Sequence, residues 1–207
     1  MLRTRHNSRA FTLVELVISL GIFVVITLLL ISNFKIGDRR SALRMSAQEI
    51  ASVLRRAQNL SLTATPLPNG TIPSAYGIRF SPDTSSYFLF ADLSSPANNV
   101  YDTSSDQVVV NYKLNNEVYI SAVNVPQIKS GSCQDINPPD LDIVFTVPEA
   151  FVYFNGVQPL GQGNESDSNY CGPYNPTWVE LSSKTVNNKI KVYVNWISGQ
   201  VSISDLY

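Results

Sequence analysis

Histidine occurs once in the 207 residues, at His6, and cysteine only twice, at Cys133 and Cys171. A single imidazole excludes a histidine-rich metal centre and leaves His6 as the one possible histidine base. No P-loop, G-x-S-x-G, H-E-x-x-H or C-x-x-C run is present. Two carboxylates can perform acid/base chemistry without histidine, and Asp140 with Asp142, or Asp102 with Asp106, are the pairs to weigh. They read more simply as loop and strand-edge charges, so we expect no catalytic residue and no cofactor. Oxygen ligands for calcium are present in DLSSPANNVYDTSSD and ESDSN, but without the ordered spacing of a known calcium loop, and we assign no metal ligand. Asn59, Asn69 and Asn164 head Asn-x-Ser/Thr triplets, a weak signal that needs suitable host machinery.

Basic residues are scarce beyond the first third of the chain. Residues 1–60 carry nine Lys/Arg against three Asp/Glu, whereas residues 61–207 carry six Lys/Arg against thirteen Asp/Glu, a formal charge of −7. An acidic C-terminal part is a poor match for a phosphate backbone, and Lys184, Lys189 and Lys191 form its only basic cluster. Nucleic acid is therefore an unfavoured partner.

What the chain does have is one long apolar run. Residues 11–31 contain 21 residues whose only ionisable side chain is Glu15. As a helix this run is roughly 31 Å long, enough to cross the hydrocarbon core of a bilayer. A secretory signal would have a shorter apolar core followed by a small-x-small cut site, and no such site is clear here. Arg3, Arg5 and Arg9 suit a cytoplasmic N-terminus, although Lys35, Arg39, Arg40 and Arg44 on the far side keep the charge rule from deciding alone. A lone carboxylate in such a span calls for a partner.

The short basic leader followed by Ala10, Phe11, Thr12, Leu13, Val14, Glu15 and Leu16 resembles the prepilin (type III) signal of type IV pilins and pseudopilins. That resemblance implies cleavage between Ala10 and Phe11 by a membrane-embedded prepilin peptidase, methylation of the new amine on Phe11, and an assembly role for Glu15. Ala10 stands where the family more often has Gly. Glu15, roughly 6 Å below the new N-terminus on the helix axis, offers a countercharge to its own amine or to a neighbouring subunit's. Removal of residues 1–10 would take His6 with it.

Helical periodicity continues past the span. Leu43, Ala47, Ile50, Leu54, Ala57 and Leu60 recur at steps of three or four, with Arg44, Gln48, Glu49, Ser52, Arg55, Arg56 and Asn59 between them. Asp38 can cap this half, Ser32, Asn33 and Gly37 allow a break before it, and Thr65 ahead of Pro66 marks its end. Short β-type runs follow at 77–80, 86–92, 107–112, 118–123, 141–147, 151–154, 178–182, 189–197 and 200–204. The clearest is KIKVYVNWISGQVSIS, in which Ile190, Val192, Val194 and Trp196 alternate with polar neighbours and Ser198-Gly199 reads as a two-residue turn. The expected fold class is α+β: a long N-terminal helix, transmembrane in its first half, packed on a predominantly antiparallel β head. Its divisions are a leader at 1–10, a transmembrane and assembly helix at 11–31, a helix continuation at 32–63, and a β-rich head at 64–207.

AQEIASVLRRAQNLSL, YGIRFSPDTSSYFLFAD and KVYVNWISGQVSI are similar to the GspH/FimT type of minor pseudopilin and minor pilin. This implies a non-catalytic filament subunit, in the cytoplasmic membrane before assembly, whose partners are lipid, the peptidase and other subunits' helices. For FimT-type members it also implies an alternative role, capture of extracellular DNA. With the head outside the cytoplasm, Cys133 and Cys171 are expected to pair, closing a loop of about 39 residues worth on the order of 4 kcal/mol. A two-thiol zinc site without histidine is the poorer alternative.

Overall fold

The computed structural model of the chain describes residues 12–129, 132–157, 176–185, 188–195 and 199–206. They fall in two compact units, Met1–Asp38 and Arg39–Tyr207. The architecture is α+β: one helix followed by antiparallel β-structure.

Helix α1 (Leu13–Leu62) is helical through Ser32, Asn33 and Gly37, where the sequence allows a break. Asp38 therefore lies inside a helix and does not cap one. Among the described residues of the first unit the large apolar side chains are exposed: Leu13 is 80% exposed and Phe23 70%.

In the second unit the helix behaves as an ordinary amphipathic element. Leu43, Ala47, Ile50, Leu54 and Ala57 are buried as their spacing predicts, joined by Ala51 and Val53. Ser61 is also buried, and its hydroxyl donates to the carbonyls of Ala57 and Phe145, so a polar group enters the core fully bonded. The helix ends in a Schellman arrangement. Thr65 N–H reaches Leu60 O and Ala64 N–H reaches Ser61 O, with Ala64 at φ 46° taking the left-handed position usually given to Gly. Pro66 follows, as expected.

Ten strands follow: β1 (Ala75–Phe80), β2 (Ser86–Asp92), β3 (Gln107–Lys113), β4 (Val118–Lys129), β5 (Ser132–Ile136), β6 (Leu141–Thr146), β7 (Val152–Phe154), β8 (Thr177–Ser183), β9 (Lys189–Val194) and β10 (Val201–Leu206). They form two five-stranded sheets, ordered β3-β2-β1-β6-β7 and β10-β9-β8-β4-β5, with antiparallel pairing throughout. The inner faces of both sheets and the buried helix stripe share one core, which includes Ile78, Leu89, Ile143, Val123, Leu181 and Val192.

The last hairpin differs from its expected form. Ile190, Val192 and Val194 are buried, but β9 stops at Val194 and the turn is wider than two residues, because Asn195 N–H bonds Gln200 O. Trp196 and Ser198 lie outside the described residues. Gly199, at φ 65°, tucks in so closely that a Cβ there would press on Gln58, Phe145 and Val152. Positive φ and tight packing both ask for glycine here.

The first sheet also has a small apolar cluster on its outer face. Ala75, Phe90 and Val144 are fully buried there beneath Phe88, Tyr101 and Tyr153. The Phe90 ring lies across Gly77, leaving no room for a side chain.

Candidate functional site

The N-terminal signal is built around Thr12 and Glu15. Ala10 and Phe11 lie outside the described residues. Thr12 stands just before the first helical residue, and its backbone N–H and hydroxyl both donate to Glu15 Oε2 at 3.0 Å, while Glu15 N–H lies 3.3 Å from Thr12 Oγ1. This reciprocal pattern is a capping box: Thr at the N-cap, Glu three residues on, and the helix's first donors satisfied. T-L-V-E spells that motif in the sequence, where Glu15 reads instead as a countercharge. The structure adds a partner within the same chain, Thr12.

Below Glu15, Leu13–Leu30 forms an 18-residue stretch of mean hydropathy 2.8 with none of it buried. Length and composition fit a membrane anchor near the N-terminus. Its two internal hydroxyls are bonded locally: Ser19 to Glu15 O at 2.7 Å, and Thr27 to Phe23 O at 2.8 Å. In hydrocarbon, such back-bonding removes the cost of an unsatisfied polar group.

The head places the other sequence candidates as follows. Cys133 falls on β5 with its side chain outside the described residues, and Cys171 lies outside them altogether, as does Asn164. Asn59 and Asn69 are exposed.

Asp140 and Asp142 have different hydrogen-bond partners. Asp142 is buried and held by Arg79, whereas Asp140 accepts from Ser81. Asp102 and Asp106 serve their own loop: Asp106 accepts from the N–H groups of Leu93 and Asp102, and Asp102 from the N–H and hydroxyl of Ser104. Asp92, buried at its base, accepts from the N–H groups of Ser94 and Asn99. In DLSSPANNVYDTSSD the carboxylates of Asp92, Asp102 and Asp106 each accept from backbone N–H groups of their own loop, which gives them a structural role; ESDSN lies outside the described residues.

The basic cluster is drawn around one acid. Glu180 is buried, with Lys189 Nζ at 2.7 Å, Lys191 Nζ at 3.9 Å and the Ser121 hydroxyl at 2.9 Å. Lys191 also sits 3.6 Å above the Trp178 ring. Lys184 is exposed.

Burial pushes the Glu180 carboxyl up, but the hydrogen bonds from Lys189 and Ser121 and the charges of Lys189 and Lys191 outweigh it and hold the group below its ordinary value of 4.5. A carboxyl that titrates lower when folded stabilises the fold above its unfolded pKa, and that contribution fades as pH falls through the folded value. Glu180→Gln should therefore lower the urea midpoint of the full chain in detergent near pH 7 and make little difference near pH 3. Equal losses at both pH values would show that packing, not charge, sets the effect.

Against known families, residues 5–31 match the model of the prokaryotic N-terminal methylation motif. The match covers the second half of the leader, Thr12, Glu15 and the apolar run, and it supports a type IV pilin-like, prepilin-type protein. No curated protein and no solved structure matches the chain.

Proposed function

We propose that this chain, which carries the prokaryotic N-terminal methylation motif, is a non-catalytic minor pilin or pseudopilin of the GspH/FimT type. It serves a type II secretion pseudopilus or a type IV pilus. Prepilin peptidase cuts it between Ala10 and Phe11, and the Phe11 amine is methylated. The observation that carries the reading is the coincidence of that motif at 5–31 with a bare apolar helix whose first turn holds the single acid.

The mechanism is reversible assembly. In the cytoplasmic membrane, lipid covers the apolar side chains of α1, and in the filament other subunits' helices replace the lipid. The exchange substitutes one apolar environment for another, so packing and the charge of Glu15 decide register. The head, outside the cytoplasm, is carried along.

The alternative role, DNA capture by a pilus-tip subunit, has less support. Two of its three clustered lysines are within 4 Å of Glu180, so part of that cluster's charge is already offset.

Intact-mass measurement of the membrane-extracted chain, from cells with and without prepilin peptidase, tests the proposal. The expected mass lacks residues 1–10 and carries one added methyl group, in a peptidase-dependent manner. An uncut chain, or a cut elsewhere, would refute it.

A further inference from the structure

We propose that Arg39 and Arg40 form a basic collar that binds the phosphate groups of anionic phospholipids in the leaflet facing the head. The inference rests on the reading of residues 11–31 as a membrane anchor, and it names the lipid class that the anchor gathers.

Residues 32–44 hold Lys35, Arg39, Arg40 and Arg44 against one acid, Asp38, a formal +3, whereas residues 61–207 carry a formal −7. Basic residues are expected on the cytoplasmic side of a span, where Arg3, Arg5 and Arg9 already stand, so a second set beyond it needs its own reason. Other cations of the head have partners: Arg79 is held by Asp142, and Lys189 and Lys191 by Glu180. Arg40 is exposed and Arg39 half-buried, and among the described residues neither has a carboxylate within ion-pair distance.

Position along the chain selects the partner. Arg39 and Arg40 follow Leu30, the last residue of the apolar stretch, by nine and ten residues. Helical rise puts an upper bound of about 15 Å on that interval, and the headgroup layer takes up roughly 5–7 Å of it. What is left is about one Debye length at physiological ionic strength, roughly 8 Å. Side chains on a helix lean toward its N-terminus, which in α1 is the direction of the apolar run, so the two long side chains shorten the gap further.

A guanidinium presents a planar fork of donors that matches the oxygens of a phosphate. In a zwitterionic headgroup the lipid's own ammonium competes for that phosphate and the surface has no net charge. An anionic headgroup has neither handicap. Near an anionic surface each arginine is worth about fivefold in binding, so the pair favours anionic over zwitterionic lipid by about 25-fold. Lipid held at this point fixes the depth of the span.

The test uses the full chain in nanodiscs of equal parts phosphatidylcholine and phosphatidylglycerol, doped with one or the other lipid carrying a photoreactive diazirine at its headgroup end. Adducts are mapped by proteolysis and mass spectrometry. Labelling of residues 32–45 should favour phosphatidylglycerol by about tenfold or more. Arg39→Gln with Arg40→Gln should remove most of that preference, Arg39→Lys with Arg40→Lys should keep it, and labelling near Arg3, Arg5 and Arg9 should stay the same in all three as an internal control. Arg55→Gln with Arg56→Gln, an equal loss of charge sixteen residues further along the helix, should change neither region. Equal labelling by the two lipids at 32–45, or a preference that survives the glutamine pair, overturns the collar and leaves the anchor standing. A chain that does not enter the nanodisc overturns both.

Discussion

Asp142→Ala should destabilise the head by about 3–5 kcal/mol, the cost of leaving one member of a buried ion pair behind. Asp142 and Arg79 sit directly opposite each other on β6 and β1. Arg79 grips the carboxylate with both prongs of its fork, Nε to Oδ1 and Nη2 to Oδ2, each at 2.7 Å. The aspartate side chain is 1% exposed and the arginine 21%. Tyr101 N–H also donates to Oδ2, at 3.0 Å, and its ring lies under the guanidinium at 4.9 Å. Asn155 completes the surround, its Oδ1 accepting from Asp142 N–H.

Truncation at position 142 would thus leave a half-buried cation and a backbone donor without an acceptor, and would loosen the segment that covers Phe90 and Val144. Urea unfolding of the full chain in detergent measures the loss. Asp142→Leu combined with Arg79→Leu should recover much of it, because an apolar pair carries no desolvation cost. If the double variant is as unstable as the single one, the hydrogen bond to Tyr101 is the larger contribution.

Nothing in the sequence announces that pair. The partners are far apart in the chain, and each looks like an ordinary strand-edge charge until β6 is laid beside β1. The outer-face cluster left a partial trace: the unbroken apolar runs at 87–91 and 143–145 depart from one-sided alternation, but only the structure shows that Phe88, Tyr101 and Tyr153 cover Phe90 and Val144.

Local periodicity was more informative. The three-four spacing of Leu43, Ala47, Ile50, Leu54 and Ala57 marked the helix stripe, and the alternation of Ile190, Val192 and Val194 marked the inner face of β9, because each reports burial by its own neighbours. Strand β5 carries no such signal. SCQDI pairs only with the far end of β4, from Val125 to Lys129, and neither periodicity nor composition sets it apart from a loop. Asp38 does not cap for the opposite reason: a good N-cap residue is used as a cap only where a helix starts, and here the helix is already under way. The turn expected at Ser198-Gly199 is wider, closed by Asn195 N–H on Gln200 O, and the close approach of Gly199 to Phe145 and Val152 is a tertiary contact that local sequence does not display.

Glu15→Gln and Thr12→Val separate two roles that the first turn of α1 combines. Glutamine keeps an oxygen where Thr12 N–H and its hydroxyl can donate, so the capping box survives and the charge is lost. Valine keeps the charge and removes the hydroxyl, costing a cap worth about 1 kcal/mol. If Glu15 acts in the filament as a countercharge to a Phe11 amine among packed helices, removing that charge strands a cation and costs roughly 3 kcal/mol or more, a loss in incorporation on the order of 100-fold. The Thr12 variant should lose no more than about fivefold, since the weakened cap is its only defect. Filament-associated protein is measured against total processed protein, with intact mass confirming the same cut in each variant. The opposite ranking, with Glu15→Gln near the parent level and Thr12→Val strongly impaired, would mean that the acid is there to start the helix. The pairing that drives assembly would then have to be sought among the apolar side chains of Leu13–Leu30.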